Sequence, residues 1–166
     1  MSLKKLYTLV FLKNNGEVLL GLKKRGFGVN KWNGFGGKVE INESIIEAAV
    51  RELKEESCML VQPSDLRNVG HLEFTFEGDR LMMDVRVFTA STFEGLATET
   101  EEMIPKWYKF QDIPYDKMWL DDKYWFQYML NDKFFYATFH YQGFDKILEH
   151  RIEELESMES FYNNRK

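Results

Sequence analysis

Three glutamates, Glu52, Glu55 and Glu56, stand at i, i+3 and i+4 in the run GKVEINESIIEAAVRELKEES that begins at Gly37. On an α-helix this spacing brings their carboxylates to one face. Crowded anions raise one another's pKa and weaken the helix unless a cation neutralises them, and hard divalent ions take oxygen ligands together with substrate phosphates. A divalent metal is the economical resolution, and a solvated acidic helix face is the alternative that these residues alone leave open. Cys58 is the single cysteine, and His71, His140 and His150 are scattered singly. No disulfide or zinc spacing exists, so a metal here would be held by oxygen. Cys58 has no histidine near it in sequence and is not expected to be a nucleophile, and the histidines are assigned no role. Lys23, Lys24 and Arg25 form a basic cluster, with Lys38 further on. They read either as a greeting for phosphates or as a solvated strand end.

The elements that must position these side chains follow from periodicity. Residues 7–12 and 18–22 alternate apolar and polar around Asn14, Asn15 and Gly16, which predicts a hairpin. The glycine-rich stretch 34–37 leads to a helix over about 44–57, with Ile46, Ala49, Val50 and Leu53 as its apolar stripe and a capping box from Ser44 and Glu47. Residues 69–76 and 81–88 form a second predicted hairpin around Glu77, Gly78 and Asp79, and 107–110 a short strand. Asp121 and Asp122 open a short helix to about Leu130, and 134–141 and 146–152 return to strand patterns. The charged stretch from 151 to 166 is expected to fray, chiefly beyond about 153.

With 166 residues and a globular composition, one domain spanning 1–166 is expected, an α/β (α+β) fold in which a mixed sheet is packed between helices. No repeat or linker argues for a second domain. A net charge of -5 opposes clamping of a nucleic-acid polymer, and no apolar run is long enough to span a bilayer. A soluble monomer is expected, in the cytoplasm with a nuclear or mitochondrial fraction open.

The whole pattern resembles the Nudix box: Gly, five residues, Glu, seven residues, then Arg-Glu-hydrophobic-x-Glu-Glu-x-Gly-hydrophobic. Here it runs from Gly37 through Glu43 and Arg51 to Met59, and every position matches except the second glycine, which is Cys58. The resemblance implies an α/β/α sandwich and a hydrolase of diphosphate linkages. Glu52, Glu55 and Glu56 would hold Mg²⁺, or Mn²⁺ in its place, with the Gly37 carbonyl assisting and Glu43 paired with Arg51 as a structural brace. Glu56 leads as general base, while Glu102 is either a further metal ligand or base or an exposed loop acid. The family glycine ends the helix in the left-handed conformation, so Cys58 is expected to cost stability more than chemistry.

Beyond the box the chain is similar to the animal MutT-homologue group of oxidised purine triphosphatases, in LYTLV at 6–10, LLGLKKRGFG at 19–28, KWNGFGGKV at 31–39, MDVRVF at 83–88 and MWLDDKYWF at 118–126. That likeness implies that Asn33, Asp121 and Asp122 read a purine edge and that Trp119 covers its face. Phe27, Phe74, Phe76, Thr8 and Met83 would shape the pocket, and within the basic cluster Lys23 is the residue expected to meet the phosphates. The residues alone also allow Asp121 as a helix cap, Asn33 as a turn residue and Phe74, Phe76 and Met83 as core. The implied reaction sanitises the nucleotide pool, converting free triphosphates such as 8-oxo-dGTP or 2-oxo-dATP to monophosphate and pyrophosphate. Alkylated purine triphosphates, other nucleoside diphosphate derivatives and a noncatalytic nucleotide sensor remain the alternatives.

Overall fold

The computed structural model describes residues 2–166. Its strands are β1 (Leu3–Asn14), β2 (Glu17–Lys23), β3 (Trp32–Asn33), β4 (Arg67–Phe76), β5 (Leu81–Ala90), β6 (Met103–Lys109), β7 (Phe134–Gln142) and β8 (Lys146–Leu155), and its helices are α1 (Ile45–Ser57), α2 (Asp122–Leu130) and α3 (Met158–Asn163). The eight strands form one mixed sheet in the order β3-β2-β1-β5-β4-β7-β8, with β6 paired to β2. The β1–β5 and β4–β7 pairs are parallel, which requires the long crossovers that carry the helices.

Strand alternation divides the core in two. Phe11, Val18, Leu20 and Val87 point to the face covered by α2, where they meet Trp125, Phe126 and Met129. Val10, Leu12, Leu19 and Phe88 point the other way, toward Ala49 and Leu53 of α1. The expected layering of a mixed sheet between helices is what forms. Along α1, Ala49 and Leu53 are buried and Val50 packs at the margin, but Ile46 is 40% exposed and leaves the expected stripe. The first turn of α1 extends beyond the sheet, so a core-type residue there faces solvent.

Both helix caps follow the residues. Glu47 N–H donates to the Ser44 hydroxyl at 3.1 Å, and Ser44 N–H donates to the Glu47 carboxylate at 3.0 Å, completing the capping box. At the other end Cys58 adopts φ 65°, ψ 10° and donates its N–H to the Lys54 carbonyl.

The expectation that the C-terminus frays is corrected. β8 continues to Leu155 as a charged edge strand, and α3 docks on β4 and β7 on the α1 side of the sheet. Met158 is buried, the Tyr162 hydroxyl meets His71 Nδ1 and Asn68 Nδ2 at 3.2 Å each, and Arg165 donates to Glu73 at 3.1 Å. The aromatic residues Phe161 and Tyr162 within the charged tail carry this docking. Among the described residues no helix is long and apolar enough to cross a membrane.

The cap geometry sets a stability test. A side chain in the left-handed conformation costs roughly 1–2 kcal/mol, partly offset by the greater unfolded-state entropy of glycine. Cys58→Gly should therefore raise stability by about 0.5–1 kcal/mol, or about 1–4 °C in a thermal melt. An unchanged or lower melting temperature contradicts the cap account.

Candidate active site

The site lies in a fork of the sheet. β1 and β2 pair directly only at Lys13↔Val18 and Asn14↔Glu17, beside their turn. Beyond that point the segment 35–39 runs along the freed edge of β1. Val10 N–H donates to Phe35 O at 2.7 Å, Thr8 N–H to Gly37 O at 2.9 Å and Val39 N–H to Leu6 O at 2.9 Å. This close pass requires glycine. A Cβ at Gly36 would stand 1.8 Å from the Thr8 carbonyl oxygen, and one at Gly37 would stand 2.6 Å from Glu52 Oε1.

On the α1 side of this segment the acids separate by burial. Glu56 is only 3% exposed, and one oxygen accepts the Gly36 N–H at 2.8 Å. Burial, with repulsion from Glu52 and Glu102 adding to it, outweighs the Gly36 bond and Lys23 and raises its pKa to about 7. Burial likewise raises that of Glu52, against the pull of Arg51. Glu55 is largely exposed. Arg51 is the local counter-charge, donating to Glu43 at 2.6 and 2.9 Å, to Glu52 at 2.9 Å and to Glu55 at 3.3 Å. Its bonds hold the Glu43 carboxyl down at about 2. The expected Glu43–Arg51 brace is present as a two-bonded ion pair.

Lys23 and Glu102 complete this end. Lys23 Nζ lies 3.7 Å from Glu56 Oε2 and 3.2 Å from Glu102 Oε2, while Arg25 donates to Glu102 at 2.5 and 2.9 Å. Arg25 and Lys23 lower the Glu102 pKa, which leaves it a weak proton acceptor. Lys24 is occupied with Glu99 and the Thr100 carbonyl. Among the described residues no three acid, histidine or cysteine side chains already converge as ion ligands. The carboxylates are instead drawn to Arg51, Lys23 and Gly36. Glu52, Glu55, Glu56 and the Gly37 carbonyl nevertheless offer only hard oxygen donors, and the glycine backbone admits Glu52 beside that carbonyl. The donor chemistry fits Mg²⁺ or Mn²⁺.

From Glu56 and Gly37 a cavity of about 280 Å³ passes through the fork to the α2 side of the sheet. Its wall includes every residue that the resemblance assigned to a base pocket, Thr8, Phe27, Asn33, Phe74, Phe76, Met83, Trp119, Asp121 and Asp122, together with Lys23, the candidate for the phosphates. Glu52, Glu55 and Glu102 are outside the wall. At the mouth Phe27 stacks on Trp119 with centroids 5.0 Å apart. Thr8 Oγ1 and Asp122 Oδ2 are buried and find no hydrogen-bond partner among the described residues. Unpartnered buried polar atoms are rare and call for a ligand or water. Asn33 also serves the turn, since its side-chain oxygen accepts the Gly34 N–H at 2.8 Å.

Asp121 makes no side-chain cap on α2, so the capping alternative fails. Its carboxylate accepts Trp125 Nε1–H at 2.8 Å and the Tyr141 hydroxyl at 2.6 Å. Burial raises the pKa of both Asp121 and Asp122, and repulsion from Asp121 raises that of Asp122 further. Sequence reasoning missed Tyr141, although a lone hydroxyl among the inward residues Phe135, Ala137 and Phe139 of β7 was an available signal. It also missed Phe144 in the β7–β8 turn, 53% exposed and edge-on to Phe27, Phe76 and Trp119 at 5.4–6.0 Å.

The NUDIX domain family model matches residues 4–129. A zebrafish (Danio rerio) oxidized purine nucleoside triphosphate hydrolase is 48% identical over 158 residues, 95% of this chain and 100% of the relative. The mouse (Mus musculus) protein of the same name is 46% identical over 157 residues, 95% of this chain and 99% of the relative. Among solved structures, a mutator MutT protein from Bacillus halodurans superposes with a TM-score of 0.79 at 27% identity, covering 90% of this chain and 97% of that one.

The buried Glu56 sets a test that needs no substrate. Its pKa is raised from 4.5 to about 7, so the folded protein retains a proton that the unfolded chain releases first. Stability contributed by the protonated form is full below about pH 4.5 and is lost as pH rises through 7. With chelator present, Glu56→Gln should melt like the parent at pH 4 and be more stable above pH 7, by on the order of 1–3 kcal/mol. A difference that does not change with pH contradicts the burial account.

Proposed function

Since the chain belongs to the NUDIX domain family, we propose that it hydrolyses oxidised purine nucleoside triphosphates, 8-oxo-dGTP and 2-oxo-dATP among them, to monophosphate and pyrophosphate. The carrying observation is that a single cavity joins Glu56 and Gly37 to the buried pair Asp121 and Asp122. A nucleotide needs both ends at once: oxygen donors and a base for the anhydride, and polar groups in an apolar slot for the purine. The names of the zebrafish and mouse relatives support the same substrate class.

Nudix hydrolases generally need a divalent metal, and Mg²⁺ is the ion proposed here, held by Glu52, Glu55, Glu56 and the Gly37 carbonyl. When bound, it supplies Lewis-acid stabilisation of charge on the phosphate oxygens. Glu56 accepts the proton of the attacking water at the oxygen nearest Lys23, its burial favouring the protonated form. Water's oxygen bonds to phosphorus as the anhydride P–O bond breaks, and the electron pair leaves on the departing phosphate. Lys23 faces the same space and balances charge there. Arg51 is a positioning residue, tying Glu52 to the loop through Glu43. At the other end Asn33, Asp121 and Asp122 read the base edge, while Phe27, Trp119, Phe74, Phe76 and Met83 enclose its faces. Free nucleotides in the cytoplasm are the proposed substrates.

Purified protein should release pyrophosphate from 8-oxo-dGTP only when Mg²⁺ is added. Glu56→Gln should lower kcat by at least about 100-fold, the scale of a lost general base, with nucleotide binding within a few-fold of the parent. Tight nucleotide binding by the parent protein without pyrophosphate release would establish a sensor instead of an enzyme.

A further inference from the structure

We propose that the Tyr141 hydroxyl is a specificity-determining positioning group, which holds the shared proton of the acid pair on Asp122 and thereby sets the pocket's preference between the purine edges it accepts. The inference rests on the proposed base-reading role of this cavity. Its ground is the direction of the hydrogen bonds around Asp121. Trp125 Nε1–H stands 2.8 Å from Asp121 Oδ2, and an indole nitrogen only donates. The Tyr141 oxygen accepts the Asp121 backbone N–H at 3.2 Å, so its own proton is directed to Asp121 Oδ1, 2.6 Å away. Both carboxylate oxygens of Asp121 therefore face donors. A proton on either would oppose one of them, and Asp121 is held as an acceptor.

Asp122 is under no such constraint. Its side chain hydrogen-bonds with Asp121, its buried Oδ2 has no hydrogen-bond partner among the described residues, and the residue lines the cavity. With the two acids 3% and 2% exposed, two adjacent charges are excluded, and the proton resides on Asp122. The charged and titratable groups that act on the pair are Tyr141 from β7 and Lys31 from the loop before β3. Lys31 lies over the Trp119 ring at the mouth and does not compete for Asp121. Guanine-type and adenine-type edges order their donors and acceptors differently, so the position of one proton decides which of them is fully paired. Tyr141 is 2% exposed and packs its ring on Phe74 and Phe76, so Tyr141→Phe removes the hydroxyl while keeping the packing.

The test compares kcat/KM for 8-oxo-dGTP and 2-oxo-dATP across pH in the Mg²⁺-loaded parent, Tyr141→Phe and Asp122→Asn proteins. Loss of a donor to a carboxylate disfavours the anion. Tyr141→Phe should therefore change the ratio of the two substrates by about tenfold through KM, leave kcat near the parent value, and move the limb of the pH profile that reports the pair upward. Equal losses for both substrates with an unmoved profile would reduce Tyr141 to a packing residue and overturn the proposal. If Asp122→Asn shifts the ratio and Tyr141→Phe does not, the Tyr141 assignment alone falls. If neither does, the base-reading role falls and takes the proposal with it. Carbon-13 carboxyl shifts in the parent protein decide the point even if the variant fails to fold. Asp121 ionised and Asp122 protonated at neutral pH is the expected result, and the reverse overturns the proposal.

Discussion

At Gly36 the backbone passes so close to β1 that no side chain fits between it and the Thr8 carbonyl. The rest of the site hangs from that contact. Because segment 35–39 occupies the edge of β1, β2 pairs with β1 only near the turn and the sheet opens into a fork. The same segment turns the Gly36 N–H toward α1, where it receives Glu56, and clears space at Gly37 for Glu52. One stretch of glycine backbone thus creates the cavity and attaches the acidic helix to its inner end. A larger residue at Gly36 would have to push apart the edge of β1 and the helix together.

The fold then places costly groups at both ends of that cavity and manages the cost differently at each. Around α1 the compensation is ionic: Arg51 lies among Glu43, Glu52 and Glu55, and Lys23 stands between Glu56 and Glu102. Neither cation removes the effect of burial on Glu56, whose proton affinity stays high enough for exchange near neutrality. At the α2 end, with Lys31 at the mouth, the compensation is mainly directional, through Trp125 and Tyr141 as donors to Asp121. Burial raises the proton affinity of Glu52, Glu56, Asp121 and Asp122, whereas the bonds from Arg51 lower that of Glu43, which braces.

Local features were the most legible in the sequence. The Ser44–Glu47 box and the hairpin turns follow from residue types a few positions apart, whereas the left-handed Cys58 cap and the Glu43–Arg51 pair were legible through the family resemblance. The cavity proposed to read the base was visible only through family resemblance, because Thr8, Phe74, Met83 and Asp121 meet across pairings that spacing does not encode. Two readings failed for definable reasons. Ile46 matched the helical period, but α1 overhangs its sheet there and the period does not record how far a partner extends. The C-terminal stretch looked too charged to pack, yet Met158, Phe161 and Tyr162 suffice to dock α3 over His71 and Tyr136. In the protein alone Arg51 and Lys23 supply positive charge among the acids whose crowding pointed to a metal.

One cavity is proposed to serve both a reactive and a reading end. Its most direct test is kcat/KM for 8-oxo-dGTP against dGTP, and for 2-oxo-dATP against dATP, under one set of Mg²⁺ conditions. A pocket that pairs buried polar groups with an oxidised edge should favour each oxidised nucleotide by at least about 100-fold over its parent. Comparable values for oxidised and unmodified nucleotides would contradict the account, leaving a phosphohydrolase whose far cavity does not read the base.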